Sequence, residues 1–277
     1  MVGDHRPRVV GMPFWKLTGS GNDFVFVDGR GHDTHALEAP ESVRRICARG
    51  TGVGADGLVV VDRAEPGQAF AIRYYNSDGS RGELCGNASL CSTTLGVRLG
   101  LGPPSGFSFG TDAGVVAARQ QDGWPEIDLQ PSQDLRVDAG IATEPGEQRI
   151  GFVNTGVPHL VVLVGSVEAV DLPRRGRELR HHPSLVAGAN VNFVAAAGPE
   201  WRMRTYERGV EGETLACGTG SAASAILLSS WGLASQPVTI RTSSGMPVRV
   251  GLSGSPGALR PALRGEGRLV FHGELAG

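Results

Sequence analysis

Two stretches of this chain decide the fold, because IRYYNSDGSRGELCGNAS at residues 72–89 and MRTYERGVEGETLACGTGS at residues 203–221 share one pattern. Arg73 matches Arg204, the following tyrosines match, and a Cys-Gly pair stands near the end of both stretches. The offsets are 131 and 132 residues. A pattern of this length that recurs within one chain indicates an internal duplication.

A second pair of stretches supports the duplication. TGSGNDFVFV begins at Thr18 and TGVPHLVVLV begins at Thr155, and each passes a polar residue, Asn22 or His159, before an apolar strand pattern. The offset is 137 residues, close to the first one, and the order along the chain is the same. The sequence therefore predicts two homologous halves.

Strand patterns dominate each half, and each half has one long apolar helix pattern. Strand signals, rich in β-branched and aromatic residues, occur at residues 24–28, 57–62, 71–76, 159–164, 189–196 and 238–243. A short helix is expected within residues 41–50. Longer helices are expected at residues 87–99 and 219–231, which are rich in Ala, Ser and Leu with little charge, and such helices belong inside a protein. We therefore expect an α/β (α+β) fold of two pseudo-symmetric domains, each a strongly curved β-sheet wrapped around a central helix.

Composition excludes several classes of function. The chain has 277 residues, 40% of them hydrophobic and 19% charged, which is enough to bury a large core in one or two domains. A net charge of −2 provides no basic surface for nucleic acid. The longest apolar runs are strand-sized, so no membrane span is expected, and four cysteines are too few for a disulfide scaffold. We expect a cytoplasmic protein whose cysteines are thiols.

Cofactor chemistry is not expected. Only one of the 26 basic residues is a lysine, Lys16, and it stands at the start of the first strand pattern, so a pyridoxal phosphate enzyme is not indicated. No C-x-x-C or H-x-x-x-H spacing points to zinc, and the glycine-rich GSGND and GTGS lack the full nucleotide-binding patterns. The sequence therefore predicts a protein that acts without cofactor or metal.

Cys85 and Cys217 each stand where one of the two long helices begins. Peptide dipoles and unpaired N–H groups make a helix start electropositive, which lowers the pKa of a thiol from about 8.5 and favours binding of a carboxylate. We expect the two helix starts to meet at one cleft, with a thiol on either side. Cys47 and Cys91 lie inside helix patterns without a partner motif, and they are interpreted as small buried apolar residues.

Two opposed thiols suit the inversion of a stereocentre next to a carboxylate. One group must remove a proton from one face of the carbon, and the other must return a proton to the opposite face. The negative charge that develops on the substrate carboxylate would be stabilised by the helix N–H groups. The chemistry indicated is racemisation without a cofactor.

The chain resembles the diaminopimelate epimerase family. The resemblance rests on ordered blocks from Lys16 to Gly220, with a similar closing strand at the end: KLTGSGNDFVFVD, GVGADG, NSDGSRGELCGN, GVPHLVV, NVNFV, RTYERGVEGETLACGTG and GEGRLVFHGEL. It implies a cytoplasmic homodimer with an N-terminal domain at 12–134, completed by a strand at 267–277, and a C-terminal domain at 135–266. The implied activity is interconversion of LL- and meso-2,6-diaminopimelate for lysine and peptidoglycan synthesis, without pyridoxal or metal.

The resemblance also implies roles for individual residues. Cys85 and Cys217 match the two catalytic thiols, one acting as base and one as acid. Residues that match substrate-binding positions are Asn22, Asn76, Gly86, Asn87, Asn190, Glu207, Arg208, Gly218 and Thr219. His159 and Glu207 match positions that tune the two thiols, because an imidazole can exchange a proton and a carboxylate favours protonated neighbours.

The chain also departs from the family pattern. Ala88 and Ser89 follow the first Cys-Gly-Asn where many members have glycine, Val157 replaces an asparagine, and Gly57 stands where some members have glutamine. A related racemase acting on histidine or proline is therefore the alternative within the enzyme class. A non-catalytic thiol switch or binding protein is the alternative outside it. Residues 1–11 precede the usual start of the family and are expected to be a disordered tail or a misassigned start.

Overall fold

The computed structural model describes residues 11–255 and 257–276, so the N-terminal segment discussed above lies almost wholly outside the described residues. The elements of the first part of the chain are β1 (Met12–Gly19), β2 (Asn22–Asp28), α1 (His35–Glu38), α2 (Pro40–Cys47), β3 (Gly57–Asp62), β4 (Phe70–Asn76), β5 (Arg81–Gly82), α3 (Gly86–Arg98), β6 (Phe107–Thr111) and β7 (Gly114–Gln121). Those that follow are β8 (Trp124–Asp128), β9 (Gln133–Arg136), β10 (Glu147–Asn154), β11 (Pro158–Val164), α4 (Leu172–Arg180), β12 (Asn190–Ala197), β13 (Glu200–Glu207), β14 (Gly212–Thr214), α5 (Gly218–Ser230), β15 (Val238–Arg241), β16 (Pro247–Ser255), β17 (Ala258–Arg264) and β18 (Arg268–Leu275). No helix within the described ranges is long and apolar enough to cross a membrane.

Contacts divide the chain into two compact units. Unit 1 runs to Pro125 and includes the residues from Gly267 onward, and unit 2 runs from Glu126 to Glu266. The change of unit lies within β8, because the residues from Glu126 onward pair with β17 in unit 2. The boundary expected between residues 134 and 135 lies a little further along the chain.

The strands of the two units pair in the same sequence of orientations. In unit 1, β18, β1 and β2 are antiparallel neighbours, β2 is parallel to β3, and β4 pairs antiparallel with β3 and β5 and parallel with β6. In unit 2, β9, β10 and β11 are antiparallel neighbours, β11 is parallel to β12, and β13 pairs antiparallel with β12 and β14 and parallel with β15. The predicted pseudo-symmetric fold is confirmed.

One apolar helix occupies the centre of each unit. α3 packs against β1, β2, β4, β7 and β18, and α5 packs against β10, β11, β12, β15, β16 and β17. Each has 13 residues, of which ten are buried, so neither presents a broad polar face. The helices begin one residue before the predicted positions, at the glycine that follows each cysteine.

The strand register corrects one detail of the internal repeat. Phe24 on β2 lies opposite Gly57, and His159 on β11 lies opposite Asn190. Gly57 and Asn190 occupy equivalent places, each one residue before the partner of the matched tyrosine. His159 therefore corresponds to Phe24 rather than to Asn22, which is two residues away from the match that the sequence repeat indicates.

A partly buried ionic cluster joins α1 to β4 in unit 1. Arg73 Nε donates to Glu38 Oε2 over 2.7 Å and Thr34 Oγ1 donates to Glu38 Oε1 over 2.6 Å, while the Tyr75 hydroxyl also contacts Glu38. Arg73 contacts Asp62 as well. Although burial raises the pKa of Glu38, the hydrogen bonds from Arg73, Thr34 and Tyr75 outweigh that effect and lower it to about 2.

We expect Glu38→Gln to lower the free energy of unfolding at pH 7 by about 2 to 3 kcal/mol, because it leaves Arg73 without its main carboxylate. A carboxyl with a depressed pKa stabilises the fold above its unfolded pKa of about 4.3, and this contribution is lost as the pH falls through the folded value. Urea unfolding at pH 7 and at lower pH measures the difference. The difference in free energy of unfolding between wild type and Glu38→Gln should become smaller below pH 4. The control is Glu41→Gln, at an exposed position of α2, which should leave the free energy of unfolding unchanged at both pH values. A gap that does not depend on pH would contradict the assignment.

Candidate active site

Each of the two candidate cysteines is the last residue before a central helix. Cys85 precedes α3 with extended backbone (φ −129°, ψ 117°), and Cys217 precedes α5 in nearly the same conformation (φ −134°, ψ 109°). Their carbonyl oxygens accept the first helical hydrogen bonds, from the N–H groups of Ser89 and Ser221, each over 2.9 Å. Each cysteine thus stands at the positive end of a helix dipole, among N–H groups that have no partner within the helix.

The four cysteines differ in their surroundings. Cys85 is half-buried and Cys217 is 8% exposed, whereas Cys47 and Cys91 lie in the core. Burial raises the pKa of Cys47 to about 11, so this thiol stays protonated at neutral pH. Cys47 and Cys91 are therefore packing residues, as the sequence indicates.

In unit 1, a directional hydrogen-bond chain holds the first turn of α3. Asn87 Nδ2 donates to Asn22 Oδ1 over 2.7 Å, and Asn22 Nδ2 donates to Asp56 Oδ2 over 2.9 Å. Because an ionised carboxylate can only accept, Asp56 fixes which end of the Asn22 amide faces it, and Asn22 in turn fixes Asn87. The structure brings both predicted asparagines together at the helix start.

An ionic frame supports this chain. Asp23 and Asp56 exchange backbone-to-carboxylate hydrogen bonds of 3.2 and 3.1 Å, and Arg49 Nη2 donates to both carboxylates over 2.7 and 2.8 Å. Lys16 Nζ lies 2.8 Å from Asp23 Oδ2, with its side chain only 7% exposed. The single lysine of the chain thus has a structural ion pair. Sequence reasoning missed Arg49, Asp23 and Asp56, although Asp23 and Asp56 stand inside the quoted blocks GSGNDF and GVGADG.

Asn76 is held by a second directional chain at the end of β4. The Tyr74 hydroxyl donates to Asn76 Oδ1 over 2.8 Å, and Asn76 Nδ2 donates to Ser80 Oγ over 3.0 Å. Ser80 Oγ donates in turn to the Asp78 carboxylate over 2.6 Å. The polarity of all three bonds follows from the carboxylate at one end.

The ring of Tyr74 also accounts for the glycine at position 57. A Cβ atom at Gly57 would lie 2.6 Å from Tyr74 Cε2, and one at Gly82 would lie 2.7 Å from Tyr74 Cδ1. Neither position can take a side chain while the ring stays in place. The ring of Tyr74 therefore occupies the space that a side chain at position 57 would need.

In unit 2, a fully buried histidine reaches Cys217 through a threonine. His159 Nε2 lies 3.0 Å from Thr219 Oγ1, and Thr219 Oγ1 lies 3.6 Å from Cys217 Sγ. Burial, aided by the positive charge of Arg208, lowers the pKa of His159 to about 3. The imidazole is therefore neutral at physiological pH, and it contacts the thiol through Thr219.

Gly220 leaves room for this arrangement. A Cβ atom at position 220 would lie 2.3 Å from Asn192 Oδ1 and 3.2 Å from Cys217 Sγ. The equivalent residue of unit 1 is Ala88, which with Ser89 is fully buried. The extra methyl group at Ala88 therefore points into packed protein, although the sequence places it near the carboxylate-binding turn.

Glu207, Arg208 and Asn190 lie together where β13 ends. Asn190 Oδ1 accepts from the backbone N–H of Arg208 over 2.8 Å, and Glu207 Oε2 accepts from Thr214 Oγ1 over 2.6 Å. Burial raises the pKa of Glu207, while the hydrogen bond from Thr214 partly offsets this. The strand register matches Val157 with Asn22, so unit 2 has no amide side chain at that place.

Taken unit by unit, the structure groups the predicted residues around two helix starts. Gly86 and Asn87 open α3, and Gly218 and Thr219 open α5. Such N–H groups bind carboxylates, and a thiol beside them can carry a proton. In the described part of the chain, no group of three or more His, Cys, Asp or Glu side chains is arranged to hold a metal ion.

Comparison with known proteins gives consistent results. A family model described as diaminopimelate epimerase matches residues 14–129 and 151–251. The diaminopimelate epimerase of Gemmatimonas aurantiaca is 49% identical over 96% of this chain and 100% of its own length. That of Aquifex aeolicus is 40% identical over 87% of this chain and 90% of its own.

Solved structures share the fold at low sequence identity. A phenazine biosynthesis protein of the PhzF family from Bacillus anthracis superposes with a TM-score of 0.73 at 14% identity, covering 95% of this chain and 98% of that one. A probable proline racemase from Agrobacterium radiobacter superposes with a TM-score of 0.66 at 20% identity, covering 96% and 93%. These likenesses bear on the fold alone.

Proposed function

The chain belongs to the diaminopimelate epimerase family, so it is an isomerase, and we propose that Cys85 and Cys217 perform its reaction as thiolate base and thiol acid. The reaction interconverts LL- and meso-2,6-diaminopimelate, a step in the synthesis of lysine and peptidoglycan precursors. The observation that carries the assignment is the 49% identity over 96% of the chain. The equivalent positions of the two cysteines, each before a central helix, support the proposed roles.

The proposed chemistry is a proton transfer across one carbon. A thiolate takes the α-proton from one face and becomes a thiol. The electron pair of the broken Cα–H bond passes into the bond between Cα and the carboxylate carbon, so that negative charge develops on the carboxylate oxygens. The thiol on the other face then donates its proton to the carbon, which inverts the centre and exchanges the protonation states of the two sulfurs. The N–H groups at Gly86, Asn87, Gly218 and Thr219 are proposed to stabilise the charge on the carboxylate.

The residues near the two cysteines have different roles in the proposed reaction. Thr219 Oγ1, at 3.6 Å from Cys217 Sγ, can donate its proton to a thiolate. His159 stays neutral and acts as a donor to Thr219 rather than as a base. Glu207, whose pKa burial raises, favours protonated groups nearby, and Arg208 is a fork-shaped donor for a substrate carboxylate. Asn22 and Asn190 act mainly by positioning, since their amides bind Asn87 and the Arg208 backbone.

Incubation of the enzyme in deuterated water tests the substrate. We expect deuterium to enter the α-position of LL-diaminopimelate, with the meso isomer formed, and we expect no incorporation into L-histidine or L-proline. Proton NMR of the recovered amino acids measures both. Incorporation into proline or histidine but not into diaminopimelate would assign the chain to the alternative racemase activity.

We further propose that the enzyme is a cytoplasmic homodimer. Strand β18 supports a self-association surface, because Val270 and Phe271 on it are 48% and 46% exposed. β18 pairs antiparallel with β1. Sedimentation velocity should therefore give about twice the chain mass of 28.9 kDa. A species of single-chain mass at micromolar concentration would contradict the dimer.

Tyr74→Phe should raise KM for diaminopimelate about 3- to 10-fold with a smaller change in kcat, because it removes one hydrogen bond that holds Asn76. Tyr75→Phe is the matched control, since its hydroxyl contacts Glu38 and not Asn76. Initial rates over a range of substrate concentrations separate KM from kcat. Equal KM values in both variants would show that the Tyr74 hydroxyl does not position a substrate-binding group.

A further inference from the structure

We propose that Asn192 is a positioning residue of the active site, which fixes His159 in the Nε2–H tautomer and thereby directs the hydroxyl proton of Thr219 toward Cys217 Sγ. Asn192 is fully buried on β12, two residues beyond Asn190. The role assigned to Cys217 rests on the proposed function, whereas the tautomer of His159 does not.

The orientation of the Asn192 amide follows from its partners. Its Nδ2 atom lies 3.0 Å from the carbonyl oxygen of Leu160, which can only accept a hydrogen bond. The Oδ1 atom lies 3.0 Å from Thr205 Oγ1, whose hydroxyl can donate to it. Nδ2 is therefore the donor end, and it also lies 3.1 Å from His159 Nδ1. His159 Nδ1 must accept this bond, so it carries no proton.

The remaining proton assignments follow in one direction. A neutral imidazole with an unprotonated Nδ1 has its proton on Nε2, and this N–H donates to Thr219 Oγ1 over 3.0 Å. The Thr219 hydroxyl, whose oxygen accepts that bond, turns its own proton to another acceptor. Cys217 Sγ lies 3.6 Å away, within reach of a bond to sulfur. A bond of 3.0 Å from Thr155 Oγ1 to the Thr219 carbonyl holds the residue in place.

The surroundings of His159 keep the imidazole neutral. Arg208 is the charged group that acts on it, and a positive charge opposes protonation of the ring. Asn192 and Thr219, which form hydrogen bonds with the ring, do not titrate. An imidazolium, with both nitrogens protonated, would face the donor end of Asn192 and is excluded by it.

The hydrogen bonds that link Asn192, His159, Thr219 and Cys217 have no counterpart at the equivalent described positions of unit 1. The strand register places Phe24, Val59 and Tyr74 at the positions equivalent to His159, Asn192 and Thr205. There the rings of Phe24 and Tyr74 pack edge to face with centroids 6.1 Å apart. The hydrogen-bond chain is therefore a property of the Cys217 side of the site.

Nitrogen NMR of enzyme labelled with ¹⁵N-histidine tests the tautomer without reference to turnover. At neutral pH the ring of His159, identified by its loss in His159→Gln, should show a protonated Nε2 and an unprotonated Nδ1. An Nδ1–H tautomer or an imidazolium would overturn the proposal. In Asn192→Leu the Nε2–H signature should give way to a mixture of tautomers. If that variant does not fold, the isosteric Asn192→Asp, whose carboxylate can only accept a hydrogen bond, should place a proton on His159 Nδ1.

Alkylation of Cys217 tests the link to sulfur. In a Cys85→Ser background, the rate of modification by iodoacetamide is followed against pH by mass spectrometry of the Cys217 peptide. Thr219→Val and Asn192→Leu should each slow the reaction at pH 7 about 3- to 10-fold and move its midpoint upward, because the thiolate loses a donor. Thr219→Ser should retain the wild-type profile, as should Ser224→Ala, a buried change on the same helix that contacts Met203. An unchanged midpoint in Thr219→Val would overturn the proposed link, even with epimerase activity intact.

Discussion

Serine in place of either Cys85 or Cys217 is expected to lower the rate of epimerisation by about 10² to 10⁴-fold, the range that a positioned acid or base contributes. A hydroxyl has nearly the same size as a thiol but does not ionise near neutral pH, so the variant should keep the site and lose one of the two proposed proton-transfer groups. Chiral chromatography of the diaminopimelate isomers measures the conversion. Substrate binding, measured by calorimetry, should remain within a few-fold of wild type.

A third cysteine supplies the control for this result. Cys47→Ala removes a thiol from the core of unit 1, among residues such as Val43 and Leu58, and should keep most of the activity. A serine variant at position 85 or 217 that retains more than about a tenth of the wild-type rate would remove that cysteine from the mechanism. A thiol switch makes the opposite prediction, because both serine variants would then stay active and only their response to oxidants would change.

Gly220→Ala should reduce kcat/KM by about 10²-fold or more, since a methyl group would meet Asn192 Oδ1 at 2.3 Å and Cys217 Sγ at 3.2 Å. Asn192 has little room to move, because it is fully buried and its amide is held by Leu160 and Thr205. Initial rates, together with unfolding curves, separate loss of activity from loss of fold.

Variants at two other positions serve as controls for Gly220→Ala. Gly165→Ala adds a methyl group in unit 2 where nothing lies within 4 Å, and it should leave the rate unchanged. Ala88→Gly makes the reverse change at the equivalent place in unit 1 and should cost only a small amount of stability. Wild-type activity in Gly220→Ala would mean that the position of Cys217 Sγ is not critical.

The sequence predicts the central helices well for a physical reason. Residues 87–99 and 219–231 are uniformly small or apolar, so only a helix buried on all sides accommodates them, and α3 and α5 begin and end within one residue of the prediction. β3 matches its prediction at both ends because a β-branched run is bounded by Gly and Asp.

The details of the site depend on contacts that no local pattern encodes. Asp56 reaches Asn22 across 34 residues of chain, and Asn192 reaches His159 across 33, so their pairing depends on the strand register. The strand register also decides which residue of β11 faces the helix start. The sequence repeat matched His159 with Asn22, two residues away from its structural equivalent. The residues that hold Asn22 and His159 in place were therefore not predicted from the sequence.

The contrast between His159, Asn192 and Thr205 in one unit and Phe24, Val59 and Tyr74 in the other has a consequence for how this enzyme arose. An ancestral protein of two identical halves would have had the same side chains around both helix starts. In the present chain the three equivalent positions are polar in unit 2, whereas in unit 1 they hold two aromatic residues and a valine. A protein made from two copies of one half would have both thiols, but the side chains beside the two thiols would be the same.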